Sequence, residues 1–299
     1  MNGFLNLLKP PGMTSSDAVV QVRRTLSGEK VGHAGTLDPE AAGVLPIMIG
    51  KATRLFDVLT EKEKEYIAEI AFGAATDTQD AQGTAIAVSK SLPSMADLRA
   101  CLPAFIGDIM QVPPDFSALK IGGKPAYALA RKGERTRLAA RPARIDSIDF
   151  LEQTRERTAL LRVRCGKGVY IRTLCHDIGI KLGCPAHLRF LLRTQTGPFM
   201  LAESVTLEEW LESGDRAPLL WPLDAPLLHL PAARVDAVHQ KAVLNGNPLT
   251  TFDGEIPPDA IARVYCGDQF AGLARCVNGA LTFQAMLLER TDDKQSKNT

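Results

Sequence analysis

The sequence lacks an excess of charge of either sign, and it also lacks long apolar runs. Its formal net charge is only +1 over 299 residues, so a nucleic-acid partner would have to use a local basic surface. No stretch reaches the roughly 20 apolar residues of a membrane-spanning helix. Met1–Pro11 is too short for a signal peptide and has no cleavage-site pattern. We therefore expect a cytoplasmic protein with no membrane partner.

Metal-binding motifs are also missing. The six cysteines form no C-x-x-C pair and have no zinc-like spacing with the five histidines. We expect reduced, mostly buried thiols and no metal site. With 45% hydrophobic residues, the chain is long enough for one large domain and a small one.

The most distinctive stretch is Gly32–Pro46, in which two glycines, a histidine, a threonine and an aspartate fall within seven residues. Asp38 directly precedes Pro39, and this order predicts that Asp38 caps a short helix over Pro39–Val44, which Pro46 ends. The sequence leaves two interpretations of Asp38 open. It is either a helix cap and nothing more, or a carboxylate displayed on a loop for chemistry.

Two segments, Glu65–Phe72 and Ala159–Cys165, alternate in the way half-buried strands do. Tyr66, near the start of the first strand, is either a core aromatic residue or a functional one. Helices are expected between such strands, and no regular strand–helix–strand repeat is present. This pattern predicts an α+β fold.

A Gly-x-Gly turn precedes the segment Val169–Arg172, which we predict to be extended. In an extended segment Tyr170 and Arg172 project to the same side. An arginine beside a tyrosine can hold a carboxylate or a phosphate. The same pattern is also compatible with an ordinary surface arginine. A helix is predicted to follow and to end at Gly183.

Positive charge is concentrated in residues 115–144, where eight lysines and arginines occur with only two acidic residues. A charge run is usually a solvated face, but in a chain of net charge +1 we interpret it as a mobile lobe that faces RNA. Short β-like runs separated by Gly-Asp and Asn-Gly turns predict a small barrel over residues 230–291. Residues 292–299 are polar and predicted to be disordered.

The run Gly32–Pro46 resembles the signature of the tRNA pseudouridine-55 synthases, the TruB-type family. Lys9–Ser15 resembles the first signature of that family, and Val169–Arg172 resembles the end of its third, with valine where threonine is usual. The resemblance extends from Lys9 to about Gly197. It implies an α+β catalytic domain over residues 1–229, with a mixed, mainly antiparallel sheet flanked by helices. It also implies a thumb-like RNA-binding insertion at 115–144 and a β-rich, PUA-like RNA-binding domain at 230–291.

The resemblance further implies an activity, the isomerisation of uridine 55 in the T-loop of tRNA to pseudouridine after the base is flipped from its stack. Asp38 would be the nucleophile, and Tyr66 would stack on the uracil and reach the proton at C5. Arg172 would keep the Asp38 carboxylate charged and oriented. The reaction oxidises nothing and brings in no group, so no cofactor is expected.

Binding roles also follow from the resemblance. His33 would occupy the space that the flipped base vacates, although satisfying a local backbone group is an equal alternative. Tyr170 would offer an aromatic face, and Leu192, rather than Leu191, would line the uracil pocket. Lys9 would support the catalytic loop from beneath and is grouped with the substrate-binding residues. Contacts of the basic lobe to the tRNA backbone are assigned to Lys120, Lys124 and Arg131.

Three other functions are compatible with parts of the sequence. Gly-Thr-Leu-Asp slightly resembles phosphatases with an aspartyl nucleophile, but the upstream aspartate that they need is absent. A non-catalytic RNA-binding protein would explain the basic lobe but not the set of Asp38, Tyr66 and Arg172. A guide-RNA-dependent synthase subunit would lack the lobe and carry a longer tail. We therefore predict a stand-alone, monomeric enzyme whose partner is tRNA, with no obligatory protein partner.

Overall fold

The computed structural model describes residues 1–60, 62–117, 119–121, 123–126 and 138–288. Its strands, in chain order, are β1 (Gly3–Lys9), β2 (Val31–His33), β3 (Ala42–Ile49), β4 (Lys64–Phe72), β5 (Ala74–Thr76), β6 (Ala85–Val88), β7 (Gly107–Gln111), β8 (Lys120–Ile121), β9 (Lys124–Pro125), β10 (Arg141–Arg155), β11 (Thr158–Cys165), β12 (Ala186–Thr196), β13 (Phe199–Met200), β14 (Val205–Thr206), β15 (Ala232–Val235), β16 (Ile261–Cys266), β17 (Gln269–Val277) and β18 (Ala280–Met286). Its α-helices are α1 (Ser15–Arg24), α2 (Phe56–Thr60), α3 (Met95–Cys101), α4 (Ile171–Lys181), α5 (Leu207–Glu212) and α6 (Gln240–Leu244).

A large mixed sheet forms the centre of the protein. Among the described residues it has ten strands, in the order β14–β1–β3–β12–β4–β11–β10–β7, with β2 also beside β3 and β13 beside β12. Only the β1–β14 and β3–β12 pairs are parallel, and the other pairs are antiparallel. The predicted α+β class with a mainly antiparallel sheet is confirmed.

Both faces of this sheet are covered around β1 and β3. Leu5 and Leu45 pack into the larger core on one face. Phe4 and Val44 pack on the opposite face, in a second core that includes Leu273 of the C-terminal part. A strand that is buried on both faces has no polar residues to alternate with its apolar ones. This is why β3 appears in the sequence as one continuous apolar run.

The predicted helix over Pro39–Val44 is wrong. The Ala41 N–H donates to the Asp38 carbonyl (3.1 Å) and closes a turn, after which the chain enters β3 at Ala42. Gly43 has a φ of +113° and lies where a Cβ would collide with the main chain of Arg193, so a glycine is needed for this close approach. Asp38 therefore caps no helix.

The two alternating segments are confirmed as strands. β4 buries Tyr66, Ala68, Ile70 and Phe72, as their shared face predicts. It pairs along its length with β11, which covers Ala159–Cys165. The alternation is visible in the sequence because only one face of these strands is fully buried.

A second, smaller sheet follows residue 230, with β15 parallel to β16 and the order β15–β16–β17–β18. A connecting segment bridges both of its edges: Leu249 pairs with Leu281, and Asp253 pairs with Arg234. This arrangement closes the sheet in the way that a small barrel would. The PUA-like assignment remains a prediction.

Several expectations fall partly or wholly outside the described residues. Within residues 115–144 the described part includes the short β8–β9 hairpin, whereas Arg131 and the side chains of Lys120 and Lys124 are not described. The predicted disordered tail also lies outside the described range.

All six cysteines are free and buried, as expected. In the part of the chain that is described, no helix is long and apolar enough to cross a membrane.

Candidate active site

Asp38 and Arg172 form a bidentate ion pair. The Arg172 Nε lies 2.8 Å from Asp38 Oδ2, and Nη2 donates to Oδ1 over 3.0 Å. The Arg172 side chain is 5% exposed and the Asp38 side chain is 39% exposed. A two-point contact between a guanidinium and a carboxylate sets the orientation of both groups. The carboxylate is thereby held in a fixed direction while part of it stays open to a substrate.

The remaining donors of Arg172 contact two other segments. Nη1 donates to the Thr78 carbonyl (3.2 Å), and Nη2 donates to the Phe116 carbonyl (3.0 Å). Asp80 adds a second, longer ionic contact at 3.7 Å. A buried arginine must have its donors satisfied, and these partners fix the guanidinium in one place.

The structure changes the predicted conformation around Arg172. Tyr170 is the N-terminal cap residue of α4, and Arg172 lies in the first turn of that helix, so the extended conformation predicted for Val169–Arg172 is wrong from Ile171 onward. The helix itself extends as far as predicted, with Gly183 just beyond it at a φ of +65°. The side chain of Arg172 reaches Asp38 from a helix start rather than from a strand.

A cavity of about 320 Å³ opens beside the ion pair, and its lining includes Asp38, Tyr66, Tyr170, Leu191 and Arg193. Burial raises the pKa of the Tyr66 hydroxyl, against the opposing effect of the Arg193 charge. Burial likewise raises the pKa of Tyr170. Both tyrosines are therefore neutral phenols at neutral pH. The cavity has the size of a small-molecule site and offers two aromatic side chains next to a carboxylate.

The described lining of the cavity includes Leu191 but not the expected Leu192. Leu191 lines the cavity together with Arg193, two residues further along β12, and Leu192 lies in register with Ala42 and Ile67. The β12–β4 register shifts between Leu188 and Phe190. Such an irregularity changes which residues face one side of a strand.

Sequence reasoning missed Arg193, although it lies within the stretch from Lys9 to about Gly197 over which the chain resembles the family. It is almost fully buried, and its Nε donates to the Val44 carbonyl (2.7 Å) while Nη2 donates to the Gly35 carbonyl (3.1 Å). These bonds hold the loop that carries Asp38. The available signal was an arginine directly after the apolar run Phe190–Leu192, because a charged residue is rarely buried without specific partners.

Lys9 supports this loop from beneath, but it is not placed to bind substrate. Its Nζ donates to the carbonyls of Pro10 (2.8 Å), Met13 (2.7 Å) and Pro39 (3.0 Å), and the residue is fully buried. Three carbonyls use all three ammonium donors. Burial lowers the pKa of Lys9 to about 8, so the group is still charged at neutral pH.

Replacing Lys9 with methionine is expected to lower the free energy of unfolding by about 2–4 kcal/mol, because three carbonyls lose their shared donor. Urea denaturation measures this change. The exposed Lys90 provides the control, since Lys90→Met should change stability by no more than about 0.5 kcal/mol. An equally small effect of Lys9→Met would contradict a supporting role.

His33 lies in β2 and not in the described lining of the cavity. Its Nδ1 is buried and has no hydrogen-bond partner among the described residues. Burial, followed by the nearby charge of Arg193, lowers the pKa of this histidine, so it is neutral at neutral pH. The expected role of His33 in filling the space of a flipped base stays a prediction.

Comparison of the structure with solved proteins finds chains of H/ACA ribonucleoproteins with the same fold. A chain from the "Structure of H/ACA RNP bound to a substrate RNA containing 2'-deoxyuridine" aligns with a TM-score of 0.74 and 26% identity, covering 97% of this chain and 86% of that one. A chain of an archaeal box H/ACA small ribonucleoprotein aligns with a TM-score of 0.70 and 26% identity, covering 96% and 85%.

Sequence comparisons give the family. The model of the TruB family pseudouridylate synthase N-terminal domain matches residues 23–171, and that of the tRNA pseudouridylate synthase B C-terminal domain matches residues 172–226. The tRNA pseudouridine synthase B of Alkaliphilus oremlandii is 46% identical, covering 83% of both chains. That of Gluconacetobacter diazotrophicus is 39% identical, covering 97% of this chain and 94% of the relative. This chain belongs to the TruB family of pseudouridylate synthases.

Proposed function

We propose that this protein converts uridine 55 in the T-loop of tRNA to pseudouridine, acting alone, as a monomer in the cytoplasm, and without a cofactor. The observation that carries the proposal is the Asp38–Arg172 pair, whose partly exposed carboxylate faces a cavity that also contains Tyr66. The family and the names of its curated relatives support tRNA as the substrate.

The chemistry requires the N1–C1′ bond of the nucleotide to break, the uracil to rotate and a C5–C1′ bond to form. The proton on C5 leaves, and N1 gains one, so atoms and charges balance without a co-reactant. Asp38 acts as the nucleophile, on the ribose or on the base, because Arg172 fixes the orientation of its carboxylate. The bidentate contact also places a positive charge beside both oxygens of that carboxylate.

Uridine must first leave its stack, which costs on the order of a few kcal/mol. Tyr66 offsets part of this cost through its aromatic face and stays a neutral phenol because burial raises its pKa. Leu191 supplies an apolar wall on the same cavity. We assign Tyr66 and Leu191 to binding of the uracil, and we assign Tyr170 to a second aromatic contact.

Incubating the purified protein with unmodified tRNA and no added cofactor or guide RNA tests the proposal. Mapping should find pseudouridine at position 55 and nowhere in a tRNA whose uridine 55 is replaced by cytidine. If uridine is converted only when a guide RNA is added, the result would favour the guide-RNA-dependent alternative that the H/ACA similarity suggests.

We further propose that the basic lobe over residues 115–144 grips the tRNA backbone, on the basis of its eight basic residues. Neutralising Lys120, Lys124, Arg131 and Lys132 together should weaken tRNA binding. The slope of log affinity against log salt should flatten by about 0.7–0.9 for each lost phosphate contact. Binding measured from low to moderate salt checks this, and an unchanged affinity and slope would identify the segment as an ordinary solvated face.

A further inference from the structure

The Gln111 side-chain amide forms two hydrogen bonds with the main chain of one active-site residue, Tyr170. Its Oε1 accepts from the Tyr170 N–H over 3.0 Å, and its Nε2 donates to the Tyr170 carbonyl over 3.3 Å. The residue ends β7 and is only 3% exposed. The Gln111 side chain therefore makes a two-point contact with the main chain of Tyr170, which is not part of a strand.

This contact lies where α4 begins. Tyr170 is the cap residue, and its own side chain makes no capping hydrogen bond. Its carbonyl also accepts the first helical bond, from the Leu174 N–H (3.0 Å). Helix ends need partners for their unpaired backbone groups. Gln111 supplies a partner for the Tyr170 N–H from another part of the chain and so fixes the cap residue, which lies two residues before Arg172.

Residues that follow Gln111 also contact the first turn of α4. The Thr173 hydroxyl lies 3.4 Å from the Val112 carbonyl and 3.0 Å from Gln79 Oε1. The Phe116 carbonyl accepts from Arg172 itself. One stretch of chain, residues 111–116, thus contacts the main chain before Arg172, its guanidinium and the residue after it.

We propose that Gln111 is a positioning residue, which fixes the start of α4 so that Arg172 meets both oxygens of Asp38. This inference rests on the proposed function. A bidentate contact needs both donor–acceptor distances at once, and a displacement of about 1 Å can cost on the order of 100-fold in rate. Among the described residues Gln111 makes no hydrogen bond to the carboxylate and does not line the cavity, so it would act through the backbone of Tyr170.

The test replaces Gln111 with methionine, which has a similar length and removes both hydrogen bonds. The single-turnover rate at saturating enzyme is expected to fall by about tenfold or more, while the dissociation constant for tRNA stays within about threefold. Gln153→Met is the matched control, because Gln153 donates to the Glu156 carbonyl on the exposed part of β10. Its rate should stay at the wild-type value.

A double-mutant cycle separates positioning from a general structural role. In an Arg172→Lys background, a lysine cannot form the two-point contact, so Gln111→Met should lower the remaining rate by less than about threefold. If Gln111 matters only for stability, the rate per folded molecule would be unchanged by Gln111→Met, or the two losses would multiply in full. Either result overturns the proposal.

A second variant, Gln111→Glu, keeps an oxygen for the Tyr170 N–H but sets a second oxygen against the Tyr170 carbonyl. It retains the size of the glutamine, so it also serves if the methionine variant fails to fold. Its expected result is the same loss of rate with unchanged tRNA affinity, and a wild-type rate would contradict the proposal. Failure of the wild-type protein to modify tRNA would instead reject the proposed function, so the two failures are distinguishable.

Discussion

Replacing Asp38 with asparagine is expected to abolish pseudouridine formation while leaving tRNA binding close to that of the wild type. Both carboxylate oxygens of Asp38 contact Arg172. Asparagine keeps the shape and one acceptor oxygen, but it lacks the negative charge that a nucleophile needs and sets an amide donor against a guanidinium donor. Turnover should fall by at least about 1,000-fold.

The cost in stability should be small compared with the loss of turnover. Asp38 caps no helix, and its side chain is 39% exposed, so water can replace part of the lost contact. We expect the free energy of unfolding to fall by about 1–2 kcal/mol. Release of tritium from uridine labelled at C5 measures turnover, and thermal unfolding measures stability.

Glu40→Gln is the matched control for Asp38→Asn. Glu40 is exposed, two residues further along the same turn, so this variant removes one negative charge from the loop without altering the pair with Arg172. Its turnover should remain near that of the wild type. A folded Asp38→Asn protein that converts uridine at an ordinary rate would reject Asp38 as the nucleophile.

Removing the guanidinium is the second change with a large expected effect. Arg172→Ala leaves Asp38 without its counter-charge, and the Thr78 and Phe116 carbonyls without a donor. Turnover should fall by about 100-fold or more, because the carboxylate is no longer held in one direction. The free energy of unfolding should fall by about 3–5 kcal/mol, since Arg172 is almost fully buried.

Two variants make this result interpretable. Arg172→Lys keeps the positive charge but cannot contact both carboxylate oxygens, so it should retain more stability than Arg172→Ala while turnover remains low. Arg189→Ala removes an arginine of β12 whose ion pair with Glu69 lies nearer the surface (3.3 Å). That change should cost no more than about 1 kcal/mol, with turnover unaffected. Wild-type turnover in Arg172→Lys would show that the bidentate contact is dispensable.

The local sequence pattern was sufficient to predict an element when one of its faces is exposed to solvent. β4 could be recognised from Tyr66, Ala68 and Ile70, because its other face carries polar residues. The start of α1 is also defined locally, because Thr14 and Asp17 form a capping box. In both cases the interactions that define the element lie within a few residues of each other.

The same kind of reasoning failed around β3 and β12. Asp38-Pro39 has the local chemistry of a helix start, yet the residues after it form a strand that is buried on both faces between β1 and β12. Burial of that apolar run outweighs a cap worth about 1 kcal/mol. In β12 a register shift moves Leu191 to the cavity, and no alternation counted along the chain reveals such a shift.

The sequence by itself determined the α+β class, the family resemblance and the candidates Asp38, Tyr66 and Arg172, because these depend on residue types at short spacings. Only the tertiary structure decided that Arg172 projects from a helix start onto both oxygens of Asp38. The tertiary structure alone showed that Gln111 and Arg193 have supporting roles. Their partners are carbonyls and amides of the main chain, which every residue carries, so residue identity does not encode these contacts and only the folded path of the chain brings them together.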